Sequence, residues 1–80
     1  MSKKHPEGIK VDIMANKGAK LDYLRGFYGA RHNFFITEYS YSVTLTIEML
    51  VWNLEDYNRV KEHLGFDLLQ ISITPNTKID

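Results

Sequence analysis

The run most able to do chemistry is Arg25-Gly26-Phe27-Tyr28-Gly29-Ala30-Arg31-His32. Two guanidinium groups, two aromatic rings and an imidazole lie within one short segment. Guanidinium groups hold phosphates and rings stack on bases, so Arg25, Phe27, Tyr28, Arg31 and His32 form a candidate nucleic-acid or nucleotide site. A second set is apolar and aromatic. Tyr39, Tyr41, Leu50 and Trp52 are of the residue types that anchor protein interfaces.

Catalytic patterns are scarce. The histidines are His5, His32 and His63, and no two stand at a metal-ligand spacing. There is no cysteine, hence no thiol nucleophile, no thiolate metal site and no disulfide. Phosphate-binding glycine loops and the nucleophile elbow are absent, and Glu48 has no convergent partner in the sequence. The expectation is a non-enzyme without metal or cofactor. Arg25-Gly26-Phe27 matches the opening of the central signature of the RNA-recognition motif. Tyr28 then stands where that signature wants Gly or Ala, and the run precedes the strand that would carry it.

The elements that must position these residues start from residues 52–66. Asn53 is a favoured N-cap and Asp56 completes a capping box three residues on. Trp52 and Tyr57 have the spacing of a hydrophobic staple. Leu54, Tyr57, Val60 and Leu64 form an apolar stripe, and Glu55 stands four before Arg59. Gly65 ends the helix, with Phe66 expected to fold back on Val60 or Lys61.

Before that helix, period-two alternation runs almost unbroken from Phe35 to Trp52. A strand of such length is improbable, so a turn is expected near residues 39–42. With the odd positions as core, Phe34, Ile36, Leu50 and Trp52 fall on the opposite face. Ile9, Val11 and Ile13 mark a first strand; Leu69, Ile71 and Ile73 mark a last one, stopped at Thr74-Pro75. Residues 19–31 fit both a short helix and a strand, and the helix is preferred despite Gly26 and Gly29. The expected fold is α+β: a single domain over 8–74, with flexible tails at 1–7 and 75–80. Its β-α-β-β-α-β order gives a ferredoxin-like antiparallel sheet with helices on one face. The alternative is a mostly antiparallel β domain with one helix at 53–64.

The net charge is zero but unevenly spread. Residues 1–32 carry seven basic and three acidic side chains; residues 33–80 carry three basic and seven acidic. A neutral balance disfavours broad electrostatic binding of nucleic acid. No apolar run reaches membrane-spanning length, the polar opening Met-Ser-Lys-Lys-His-Pro gives the expectation of no signal peptide, and the lack of cysteine fits a cytoplasmic, intracellular protein. The leading expectation is a small protein-binding module, docking on another protein or on a copy of itself. On base rates such modules are often regulators or inhibitors, phage-type ones included. A nucleic-acid or nucleotide binder is the runner-up. A ligand-sensing regulatory domain is a third reading, resting on fold analogy alone.

Overall fold

The computed structural model describes residues 8–75; the expected tail at 1–7 and the tail residues 76–80 lie outside them. Strand β1 spans Ile9–Asn16, helix α1 Asp22–Gly29, β2 Asn33–Glu38 and β3 Ser42–Met49. Helix α2 spans Leu54–Leu64, a 3-10 turn follows at Gly65–Asp67, and β4 runs Leu68–Pro75. The sheet order is β2-β3-β1-β4, and every neighbouring pair is antiparallel. It follows that β1 and β2 run the same way with β3 between them, while β3 and β4 flank β1. Each helix links one such pair. Segment 19–31 does contain a helix, which removes the one-helix alternative.

The core follows from strand parity. Val11, Ile13 and Ala15 of β1 stand opposite Ile47, Leu45 and Val43 of β3, and all six are buried. Leu24 and Tyr28 of α1 and Val60 and Leu64 of α2 complete the same cluster. Both helices therefore cover one face. The other face carries Lys10, Asp12, Thr44, Thr46, Glu48, Gln70 and Ser72. There Thr46 Oγ1 donates to Asp12 Oδ1 at 2.7 Å.

Parity reverses across the hairpin. Ile36 faces Leu45 and Phe34 faces Ile47, so even residues of β2 and odd residues of β3 share the core side. This corrects the single odd-numbered face expected from Phe35 onward: Phe34 and Ile36 pack on the core, and Phe35 is exposed. The turn between the strands is where expected, with Tyr39 N donating to Ser42 O at 2.8 Å. No residue in it takes a positive φ, so it needs no glycine. Lys17 clamps it from another loop, donating from its backbone N to Tyr41 O (3.3 Å) and from Nζ to Tyr39 O (3.0 Å).

Helix α2 has the expected capping box, with Asn53 and Asp56 satisfying each other's backbone N–H groups. Its buried stripe differs from expectation. Val60 and Leu64 are buried, Leu54 and Tyr57 are exposed, and Asp56 takes the position one turn before Val60. Phe66 is fully exposed and does not close on the helix. In β4 a register shift opposite Met14/Ala15 turns Leu68 toward the core and leaves Leu69 half exposed. Among the described residues no helix is long and apolar enough to cross a membrane.

Candidate functional site

The site is built around Tyr28, at the end of α1. Its ring is fully buried, and its hydroxyl reaches the first turn of α2. The hydroxyl donates to Asp56 Oδ1 at 2.8 Å and accepts from Arg59 Nη1 at 3.0 Å. Arg59 Nη1 also meets Asp56 Oδ1 at 2.8 Å, in an ion pair whose side chains are 21% and 13% exposed. Asp56 Oδ2 accepts from Asn53 N at 3.3 Å. One carboxylate thus caps α2, holds a guanidinium and fixes a phenol. Burial, reinforced by the Asp56 charge, pushes the Tyr28 phenol up to about 12 despite the opposing pull of Arg59. Hydrogen bonding to Tyr28 raises Arg59 further above its ordinary value.

Phe27 covers this network from outside. Its ring packs edge-on to Tyr28 with centroids 4.8 Å apart. It also carries two guanidinium groups, Arg59 Cζ at 4.1 Å and Arg31 Cζ at 4.2 Å from its centroid. Such contacts are worth roughly 0.5–1 kcal/mol each at exposed sites. Arg31 is held further by donation from Nη1 to Phe27 O at 2.8 Å, a carbonyl left free at the helix end. Trp52 stacks on the inner side, its ring centroid 6.1 Å from that of Tyr28.

Phe27, Arg31, His32 and Arg59 form part of the wall of an open groove of about 1180 Å³. The chain leaving β3 supplies another part, through Met49, Leu50 and Val51. Leu50 and Val51 are 74% and 62% exposed, two adjacent apolar side chains turned to solvent at the groove. Glu48, Glu55 and Asp56 line it as well.

The two candidate sets are redistributed. Leu50, from the protein-binding set, meets Phe27, Arg31 and His32, from the nucleic-acid set, in one groove. Tyr39 and Tyr41 sit at the hairpin turn, at the far end of β3. Its eight residues, at roughly 3.3 Å each, separate them from Leu50 by roughly 26 Å. Trp52 is half-buried and belongs to the core. Arg25 lines a smaller groove with His32, Asn33 and Phe34, apart from Arg31. Tyr28 is buried, so no base can stack on it.

Three contributors escaped the sequence. In the sequence Val51 is one more residue of the alternation, Arg59 stands four after Glu55, and Asp56 presents itself as a cap alone. The signal lay in the spacing Asp56, Val60, Leu64: a carboxylate at the head of a buried stripe requires a partner. Among the described residues no cluster of three or more His, Cys, Asp or Glu gathers as a metal site. No protein-family model matches the chain, and comparison with curated proteins and with solved structures gives no match.

Proposed function

We propose that this chain is a non-enzymatic protein-binding module, of the regulator or inhibitor kind, whose docking surface is the groove at Leu50 and Val51. The observation that carries this is the pair of exposed apolar side chains beside a guanidinium already oriented by Phe27. A preset arginine next to apolar surface has the make-up of an interface hot spot, because little side-chain freedom is left to lose on binding. The fitting partner is a protein that offers an apolar side chain to Leu50 and Val51 and a carboxylate to Arg31.

The groove's charge favours protein over nucleic acid. Asp56 and Arg59 neutralise each other in the groove, and the two remaining carboxylates, Glu48 and Glu55, outnumber the one remaining guanidinium, Arg31. A phosphate backbone would meet repulsion there. We also infer that the fold is the split βαβ, ferredoxin-like arrangement. Its support is the order β2-β3-β1-β4, with each helix joining two like-directed strands around a third.

The test is capture from native lysate, with and without nuclease, by the wild-type chain, Leu50→Asp and Tyr41→Ser. A nuclease-resistant protein retained by wild type and Tyr41→Ser, and at least tenfold depleted by Leu50→Asp at unchanged Tm, is the expected result. Retention that vanishes with nuclease, or that survives Leu50→Asp, would contradict the proposal.

A further inference from the structure

The two edges of the sheet differ in how they are guarded. Strand β2 is six residues long and ends in Glu38, which pairs with Lys17 Nζ at 3.7 Å. Strand β4 is eight residues long, Leu-Leu-Gln-Ile-Ser-Ile-Thr-Pro, without a charged side chain. Natural edge strands are normally protected by charge, by an early proline or by brevity, since their free N–H and C=O groups otherwise recruit another strand. Here the proline comes last, and the register shift lies at the opposite end, near Leu69. Among the described residues no strand pairs with the outer side of β4. Ile73, on the helix side opposite Val11, remains 49% exposed, although Val11 beside it is fully buried.

We infer that β4 pairs antiparallel with the β4 of a second copy, joining two four-stranded sheets into one of eight strands. Why a second copy fits follows from charge and parity. An uncharged strand meets its own copy without repulsion. A two-fold axis normal to the sheet keeps both helix layers on one side, which requires residues of like face to stand opposite each other. Centred on Ser72, that rule sets Ile71 against the partner copy's Ile73 and Ile73 against its Ile71, closing both on the helix side. On the other face it sets Gln70 against Thr74. Across the seam, every side chain from 69 to 75 then meets an uncharged one. The groove uses no residue of β4, so pairing leaves it open.

The chain lacks cysteine, so single cysteines report contact without background. Across such an axis the Cα atoms of two residues 72 lie about 4.5–5.5 Å apart, within the disulfide range of about 4.4–6.8 Å. Two residues 70 would be about 13 Å apart, from four residues of rise. Light scattering should give twice the 9.3 kDa chain mass for the wild type and a single chain for Ile73→Lys, with circular dichroism unchanged. Under mild oxidant Ser72→Cys should cross-link to a dimer at least tenfold faster than Gln70→Cys. A wild-type monomer at millimolar concentration, or equal cross-linking of both cysteine variants, would overturn the inference. So would a dimer that survives in folded Ile73→Lys. Should Ile73→Lys fail to fold, the cysteine pair decides.

Discussion

At the scale of residues, the Tyr28 hydroxyl is the point where the two helices are tied together. It gives its proton to Asp56 and receives one from Arg59, so removing it leaves the ion pair but unlinks α1 from it. Tyr28→Phe keeps the ring and should cost about 1–2 kcal/mol at neutral pH. The sign of the pH effect follows from the direction of the shift. The folded chain holds this proton up to about 12, against about 10 for an ordinary phenol. The stabilisation is complete below about pH 10 and is lost as pH rises through about 12, about 3 kcal/mol in all. Denaturant melts between pH 9 and 12 should therefore show wild type losing stability faster than Tyr28→Phe, its neutral-pH advantage shrinking and then reversing at the alkaline end. Parallel curves would mean that the phenol is not held in this way.

At the scale of elements, the two helices differ in how much of their stability is local. Helix α2 carries a complete capping box, and Asn53→Ala should lower stability by about 1 kcal/mol in thermal or chemical melts. Helix α1 is only eight residues long, and no side chain caps its N-terminus at Leu21. It also contains Gly26, where an added Cβ would meet nothing within 4 Å. Gly26→Ala should raise stability by about 0.5–1 kcal/mol, read by the same melts. Gly8 behaves oppositely, since a Cβ there would lie 2.9 Å from Met49 O, and Gly8→Ala should destabilise the domain. These contrasts mark what the sequence made legible. The cap of α2 and the alternation of β1 and β3 are local patterns that survive folding. The parity switch at the hairpin was hidden because its turn uses no glycine and leans on Lys17, more than twenty residues away. The position of Leu69 was hidden in the same way, because the register shift that turns it outward depends on β1.

At the scale of the molecule, the charge division along the chain does not become two ends of the fold. Strand β1, from the basic half, lies between β3 and β4, from the acidic half, and Lys10 stands opposite Glu48. The candidate site was legible only in pieces for the same reason. Phe27, Arg31 and His32 announce themselves as one run, and Leu50 as surplus apolar surface. That they share a groove is a product of topology: α1 ends beside the end of β3, and α2 delivers Arg59 between them. The same topology sends Tyr39 and Tyr41 to the far end and leaves β4 at an open edge. The proposed docking surface therefore occupies one end of the sheet. The most direct test is site-specific photo-cross-linking in native lysate, with the photoreactive side chain at position 51 and, as control, at position 41. A discrete, nuclease-resistant protein adduct is expected from position 51, weakened by Arg31→Ala, and none from position 41. Adducts from position 41 alone, or adducts to nucleic acid from position 51, would contradict it.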